Sequence, residues 1–421
     1  MGSSRKRLLR LLVPTTTAAT AAFVSAVLSP GLPANAATSH HDGGRARSVI
    51  FINGDGMSAA HREAARLYLT GLRGQLAMDK LPVSGQLSTS PHDPKTAVTD
   101  SAAAATAWAT GKKTYDGAIS VDVKGKPLPI LGRQAKAAGK STGLVTTAQV
   151  TDASPAAWFS QTADRDSQDE IARQYLEVSK PDVILGGGED WWLPAGTPGA
   201  WPDKPDEASK GTKGNLIDKA KRAGYQYVSN AKELAHAKRG KLLGLFSNEV
   251  MFQPRPEGQG DVHAPAVDLA TMTKKALDTL STNKKGFFLF VEEEGVDLSA
   301  HENNGAGVLQ AMASLEKAVK VARAYVAAHP DTLLVITGDH DCGGLTVKDA
   351  SDTDESGSDQ SDGPFPIHGS NLKFVMDWTT TGHTGVDVPV TAEGPLSTLF
   401  TGKHPNTYVH KVLSQVLTSR H

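Results

Sequence analysis

The densest group of side chains able to bind a metal ion lies in VEEEGVDLSAH, residues 291–301. Asp297 and His301 are four residues apart, so one turn of helix would place a carboxylate and an imidazole on the same face. These two ligand types suit zinc. Asp339 and His340 form a second such pair. Each pair alone also fits a solvated turn, because acidic residues and histidines are common there, but together the pairs indicate a metal site.

A serine stands at the predicted start of an alanine-rich helix. Thr99 and Asp100 are typical of helix starts, and residues 102–109 are mostly strong helix formers without Gly or Pro. Ser101 would lie in the first turn, where unpaired N–H groups and the helix dipole attract anions. A hydroxyl there is well placed to attack phosphorus. The stretch alone favours a simpler role as a helix cap, and only the metal ligands elsewhere indicate a nucleophile.

Apolar runs followed by glycine or polar residues predict the strands that position these groups. The runs are 49–52, 144–147, 183–185, 287–291 and 333–337, and helical stretches at 130–138, 169–177, 266–280 and 308–328 fall between them. This alternation predicts an α/β fold with a mostly parallel central sheet and helices on both faces. Ligands bind beyond the carboxyl ends of such strands. Asp55, Glu292 and Asp339 follow three of the runs and are expected at that edge.

The composition argues against several classes of partner. The chain carries 44 basic and 45 acidic residues, which gives no reason to expect a nucleic-acid or membrane-surface partner. Cys342 is the only cysteine, so an internal disulfide is impossible. Stability must then come from the core and from bound metal ions.

The N-terminus reads as a secretory signal. A basic start precedes an apolar segment at 11–28, and the small residues 34–36 form a cleavage site, which predicts a signal peptide over 1–36. We expect a flexible leader over 37–47 and one catalytic domain with surface insertions over 48–421, including a mobile acidic loop at 349–363. No later segment is long and apolar enough for a membrane anchor, so the mature protein is expected to be soluble and secreted.

The segment VTDSAAAATAWATGKKTYDGAISVD, which contains Ser101, resembles the nucleophile segment of the alkaline phosphatases, specifically the secreted bacterial type with two zinc ions and one magnesium ion. Motifs from Asp55 to His383 match in the family's order and cover most of the mature chain. The resemblance implies an alkaline phosphatase-like fold, in a monomer or homodimer. It also implies hydrolysis of small phosphate monoesters through a phosphoserine intermediate on Ser101, for phosphate scavenging outside the cell.

The resemblance also implies a role for each matching residue. Asp152 would orient water on the magnesium ion, and Arg165 would bind phosphate through two oxygens. The two zinc ions would stabilise the attacking and leaving oxygens. The implied ligands are Asp297, His301 and His383 for one zinc ion, Asp339, His340 and Asp55 for the other, and Asp55, Ser154 and Glu292 for magnesium.

Some residues depart from the family pattern. Leu298 stands where several relatives carry a basic or aromatic residue near the phosphate, and Ser154 stands where threonine is common. Glu293 and Glu294 are alternatives to Glu292 as the third-site ligand. A phosphodiesterase or sulfatase of the same superfamily is one other function, although a diesterase is expected to lack the magnesium ligands and Arg165. An exported phosphate- or metal-binding protein is another, although it would not need a nucleophilic serine.

Overall fold

A computed structural model describes residues 46–201, 209–252, 263–350 and 361–419. The expected signal peptide and residues 37–45 of the expected leader lie outside the described residues. Ala46 and Arg47 are described, and the Arg47 guanidinium pairs with Asp331. Within the expected acidic loop, 351–360 lie outside the described residues, and the two ends of that loop belong to strands.

Strands form at the five predicted apolar runs, and the described residues contain ten further strands. In chain order they are β1 (Ser48–Gly54), β2 (Val83–Ser88), β3 (Ser141–Gln149), β4 (Val183–Gly187), β5 (Gln226–Val228), β6 (Leu242–Leu245), β7 (Phe287–Glu293), β8 (Thr332–Thr337), β9 (Asp341–Cys342), β10 (Thr346–Asp349), β11 (Ser361–Pro366), β12 (Lys373–Asp377), β13 (His383–Thr384), β14 (Val388–Glu393) and β15 (Gly402–Pro405).

The helices alternate with the strands of the sheet. They are α1 (Ala59–Thr70), α2 (Ser101–Thr110), α3 (Leu131–Ala137), α4 (Ala153–Phe159), α5 (Gln168–Gln174), α6 (Leu216–Arg222), α7 (Ala231–His236), α8 (Leu269–Leu280), α9 (Gly295–His301), α10 (Gly305–Ala328) and α11 (Tyr408–Leu417). Helix α5 continues into a π-helical turn over Tyr175–Ser179. None of the helices in the described part of the chain combines the length and apolar character needed to cross a membrane.

The central sheet has ten strands in the order β15-β2-β14-β8-β1-β7-β3-β4-β6-β5. Strand β1 lies near the middle and pairs in parallel with β7 and β8, and β3 pairs in parallel with β7 and β4. Only β14 is antiparallel to its neighbours, β2 and β8. The predicted mostly parallel sheet is therefore confirmed, and it brings the carboxyl ends of β1, β3, β7 and β8 to one edge.

Helices cover both faces of this sheet, and the side chains of β1 show why. Ile50 and Ile52 pack into one apolar layer with α1, α8, α9 and α10. Val49 and Phe51 point the other way, into a layer formed with α2, α3, α4 and α11. Successive side chains of a strand alternate between faces, so a continuous apolar run is what a strand covered on both sides requires. The described residues form a single α/β domain, as predicted.

Candidate active site

The carboxyl ends of the central strands position the first acidic side chains. Asp55 follows β1, Glu292 lies near the end of β7, and Asp339 follows β8. The Gly56 N–H donates a hydrogen bond to Asp339 Oδ1 at 3.1 Å, which joins two of these strand ends. Gly56 has φ +69°, and a Cβ there would lie 2.7 Å from Asp297 Oδ1. Only glycine permits this close approach.

Ser101 is the first residue of α2, as the capping pattern predicts. Asp100 is the N-cap, and its carboxylate accepts a hydrogen bond from the Ala103 N–H at 2.9 Å. The Ser101 hydroxyl is nearly buried, and its Oγ lies 3.2 Å from His340 Nε2. The serine therefore stands at the positive end of a buried helix and directly beside a candidate metal ligand.

A first ligand group joins α9 to β13. His301 Nε2 lies 3.1 Å from Asp297 Oδ2, and His383 Nε2 lies 3.5 Å from Asp297 Oδ1 and 3.2 Å from His301 Nε2. Both Nδ1 atoms face backbone carbonyls, of Thr381 and Thr99, which only accept hydrogen bonds. Each Nδ1 therefore donates, and in the neutral rings the Nε2 lone pairs point at the same space.

A second group lies beside the first. It consists of Asp55, Asp339 and His340, all of them buried. His340 Nε2 is 3.2 Å from Asp339 Oδ2 and 3.4 Å from Asp55 Oδ1. The His340 and His383 rings stack with centroids 3.6 Å apart, which places the first and second groups in contact. Ser101 therefore lies against the junction of the two groups.

A third group contains only oxygen ligands. Carboxylate oxygens of Asp55, Glu292 and Glu294 lie within 4.8 Å of one another. The Ser154 hydroxyl donates to Asp55 Oδ2 at 3.4 Å. Glu292 is fixed by the Thr146 hydroxyl, which donates to Oε2 at 2.7 Å, and more weakly by the amide of Asn53. Asp55 thus belongs to both the second and the third groups.

Glu293 does not join these groups. Its Oε1 accepts a hydrogen bond from the Thr147 hydroxyl at 2.7 Å and from the Gly295 N–H at 3.1 Å, and it pairs with His263 Nε2 at 3.0 Å. His263 is stacked on Phe252 with ring centroids 4.9 Å apart. Of the three consecutive glutamates, the geometry leaves Glu292 and Glu294 as candidate ligands.

Arg165 is held between two aspartates at the open side of the site. Its guanidinium contacts Asp100 Oδ2 at 3.2 Å and Asp152 Oδ1 at 2.8 Å. The Arg165 side chain is 30% exposed, so its outer edge remains accessible to a ligand. Asp152 is also the N-cap of α4, the helix that carries Ser154. These contacts link the arginine to the helices that carry Ser101 and Ser154.

The carboxylates repel one another strongly when only protein charges are present. Burial, reinforced by Asp152 and Asp339, raises the pKa of Glu292 to about 8. Burial and the nearby Asp297 raise the pKa of Asp339 to about 7. The pKa values of Asp55 and Glu294 are raised well above their ordinary values, first by burial and then by neighbouring carboxylates. Such a concentration of buried acid needs cations for its charged form.

Buried side-chain atoms without hydrogen-bond partners also indicate bound cations. Asp55 Oδ1, Asp297 Oδ1 and Asp339 Oδ2 are buried without a hydrogen-bond partner, as is His340 Nδ1. Buried polar atoms are normally paired, so unpaired acceptors that converge on one space indicate a missing positive partner. The first two groups mix imidazole with carboxylate, which suits zinc, whereas the third is all oxygen, which suits magnesium.

The structure brings every sequence-predicted site residue into this one region. Sequence reasoning treated Asp100 only as a helix residue and missed its contact with Arg165. It also left open whether Glu294 competes with Glu292. The Cys342 Sγ lies within 4.8 Å of the ligand atoms of the first group. Its Sγ faces the Asp297 carbonyl at 3.7 Å. Its position two residues after His340 was the available signal.

Comparisons with known proteins identify relatives of this chain. A family model described as alkaline phosphatase matches residues 46–365. Alkaline phosphatase 4 of Bacillus subtilis (strain 168) is 31% identical over 441 residues, with 91% of each protein covered. Streptomycin-6-phosphate phosphatase of Streptomyces griseus is 34% identical over 448 residues, covering 94% of this chain and 95% of that protein.

A solved structure also matches. The crystal structure of a cold-active alkaline phosphatase from Shewanella sp. aligns with a TM-score of 0.72 and 31% identity, covering 88% of this chain and 99% of that one. The family match spans most of the chain, and the matched region contains α2, which begins at Ser101, and most of the candidate ligands. The chain therefore belongs to the alkaline phosphatase family and is an enzyme that hydrolyses phosphate monoesters.

Proposed function

We propose that the enzyme transfers the phosphoryl group of a monoester to Ser101 and then to water, with two zinc ions and one magnesium ion bound. The observation that carries this proposal is the position of Ser101 Oγ, 3.2 Å from His340 Nε2 at the N-terminus of α2. A hydroxyl beside metal ligands, at the positive end of a helix, is suited to attack an anionic phosphate.

The proposed ligands follow the three groups of the site. Bound cations would stabilise negative charge on the attacking and leaving oxygens of the displacement. The assignments are Asp297, His301 and His383 for one zinc ion, Asp55, Asp339 and His340 for the other, and Asp55, Ser154 and Glu292 for magnesium.

The chain's own groups then account for binding and transfer. The guanidinium of Arg165 faces the open side and can hold two non-bridging oxygens, while Asp100 and Asp152 fix its plane. The Ser101 hydroxyl loses its proton and its Oγ bonds to phosphorus in line with the breaking bond to the alcohol oxygen, which gains a proton and leaves as the alcohol. A water oxygen then attacks the phosphoserine, which releases inorganic phosphate and restores the Ser101 hydroxyl.

We further propose a broad range of monoester substrates and a role in phosphate scavenging outside the cell. The signal peptide over 1–36 would direct export and leave Ala37 as the first residue. The relative from Streptomyces griseus is named for streptomycin 6-phosphate. That compound belongs in a substrate panel beside aryl and sugar phosphates. N-terminal sequencing of protein from the culture medium tests export, and a start before Ala37 would contradict the cleavage site.

The decisive experiment replaces Ser101 with alanine. We expect Ser101→Ala to lower kcat/KM for an aryl phosphate at least about 10³-fold, equivalent to about 4 kcal/mol in activation free energy. Zinc and magnesium content should remain unchanged because Ser101 is not in a proposed ligand set. Ser414→Ala, in α11, is the matched control. Unchanged turnover in Ser101→Ala would refute the nucleophile assignment.

The same preparation separates the alternative functions. Parallel assays of a matched aryl phosphate, phosphate diester and sulfate distinguish a monoesterase from its superfamily relatives. The proximity of Ser154 and Glu292 to Asp55, and the presence of Arg165, favour the monoester. Phosphate binding without release of the alcohol would instead indicate a binding protein.

A further inference from the structure

We propose that Glu294 is an additional ligand of the third cation, so that this site carries three carboxylates rather than two. The inference rests on the proposed function, because it takes the third group to be a cation site. It concerns a residue that none of the proposed ligand sets includes. The class of ligand is a hard divalent cation of the magnesium type.

The first support is the position of the carboxylate. One oxygen of Glu294 lies within 4.8 Å of oxygens from both Asp55 and Glu292. Glu294 is only 7% exposed. In residues 46–201, 209–252, 263–350 and 361–419 its carboxylate makes no hydrogen bond, whereas that of Glu293 is bonded to several partners. A buried carboxylate without a hydrogen-bond donor is costly unless a cation neutralises it.

The second support is how the backbone fixes this position. Glu292 lies near the end of β7, and Glu294 follows that strand as the N-cap of α9, with φ −81° and ψ −25°. The Glu294 N–H donates to the Thr147 hydroxyl at 2.9 Å, which ties this residue to β3. The following Gly295 begins α9, the helix that carries Asp297 and His301. Glu294 is therefore held rigidly between two ligand-bearing segments.

The third support is the balance of charge around the group. Arg165 attracts the Glu294 carboxylate, but its guanidinium is already paired with Asp100 and Asp152, at 3.2 and 2.8 Å. Asp55 Oδ1 is buried without a hydrogen bond. Three buried carboxylates and the Ser154 hydroxyl thus converge with no protein cation among them. Four hard oxygen ligands are a suitable set for a divalent ion that retains some of its water.

The test measures cation affinity rather than turnover. Full-length enzyme, saturated with zinc and dialysed free of magnesium, is titrated with Mg²⁺ in a calorimeter, and zinc content is measured by mass spectrometry. We expect Glu294→Gln, which keeps the size of the side chain, to weaken Mg²⁺ binding at least tenfold. Zinc content, and the melting temperature without Mg²⁺, should match wild type. Glu63→Gln, at a surface pair with Arg66, is the control.

Mg²⁺ affinity in Glu294→Gln within twofold of wild type would overturn the inference. If that variant also binds inorganic phosphate more weakly, the role of Glu294 is to position Arg165 instead. If Glu294→Gln does not fold, Glu294→Asp replaces it. We expect Glu294→Asp to bind Mg²⁺ at least threefold more weakly than wild type, and unchanged Mg²⁺ affinity would again refute the proposal. If wild-type enzyme cleaves monoesters and Glu294→Gln binds Mg²⁺ normally, only this inference is disproved. If wild-type enzyme binds no Mg²⁺, the assignment of the third site is disproved as well.

Discussion

Asp100 combines two roles that a pair of substitutions can separate. Its Oδ1 accepts the Ala103 N–H at 2.9 Å and so caps α2, the helix of Ser101. Its Oδ2 accepts the Gly117 N–H at 2.9 Å and contacts the Arg165 guanidinium at 3.2 Å. Asp100→Ala removes all of these contacts. Asp100→Asn retains an oxygen for the cap but turns an amide NH₂ toward Gly117 and Arg165, both of which are donors.

The structure gives the size of each effect. Loss of an N-cap costs about 1 kcal/mol of unfolding free energy, and Asn caps as well as Asp. Asp100→Ala should therefore be less stable than Asp100→Asn by about 1 kcal/mol. The Arg165–Asp100 pair is partly exposed, at 30% and 18%, so its loss costs at most about 1 kcal/mol. Since Asp152 still holds the guanidinium, we expect inorganic phosphate to inhibit both variants about fivefold more weakly.

The assay pairs urea unfolding with competitive inhibition by phosphate. The prediction is that phosphate inhibition weakens equally in the two variants, whereas only Asp100→Ala loses the stability of the cap. If inorganic phosphate inhibits Asp100→Asn as strongly as it inhibits wild type, the claim that Asp100 positions Arg165 is refuted. Equal instability of the two variants would refute the claim that the cap contributes separately.

Three further predictions concern stability and metal retention. Burial lowers the pKa of His263, and the charge of Lys317 lowers it slightly. The Glu293 carboxylate more than offsets both effects, so the pKa of His263 is raised above 6.5. The stabilisation from this pair is therefore present below pH 6.5 and lost as pH rises through the folded-state pKa. His263→Gln should cost about 3 kcal/mol of unfolding free energy at pH 6 and less at pH 9, in urea unfolding at the two pH values. Removal of metal ions by a chelator should abolish turnover and lower the melting temperature, and zinc with magnesium should restore both. Gly56→Ala should lose zinc in metal analysis, because its Cβ would lie 2.7 Å from Asp297 Oδ1.

Each of these has a control and a contrary result. His236→Gln, exposed at the end of α7, should change stability little at either pH. An equal loss at pH 6 and pH 9 in His263→Gln would contradict the ion-pair account. Gly224→Ala has a similar φ of +87° but open space around the new Cβ, so it should keep its zinc. Full activity after exhaustive chelation would contradict metal dependence.

Much of the fold follows from local pattern. The run at 49–52 is apolar at successive positions, and the structure buries those positions on both faces of β1. Asp297 and His301 occupy one helical turn, as their spacing predicts. Strands β2 and β14 were not predicted, because their sequences, VSGQLS and VPVTAE, mix polar residues, glycine or proline with few apolar ones.

Local pattern did not predict which residues distant in sequence come together in the site. His383 stands between glycine and threonine, 82 residues after His301, and nothing in its neighbourhood indicates a partner. The resemblance alone predicted it, and its contact with His301 depends on the pairing of β13 with β9. The role of Glu294 could not be decided from sequence, since three consecutive glutamates offer the same chemistry. The hydrogen bonds and ion pair of Glu293 separate it from Glu292 and Glu294.

The central claim is that phosphate passes through Ser101. The most direct measurement is a rapid acid quench of the enzyme with an aryl phosphate, followed by trypsin digestion and peptide mass spectrometry. Cleavage after Lys95 and Lys112 gives a peptide, 96–112, that contains Ser101. We expect a phosphoryl group on Ser101 in this peptide and none on the same peptide of Ser101→Ala. Turnover with no phosphorylated Ser101, or with phosphate on another residue, would contradict it.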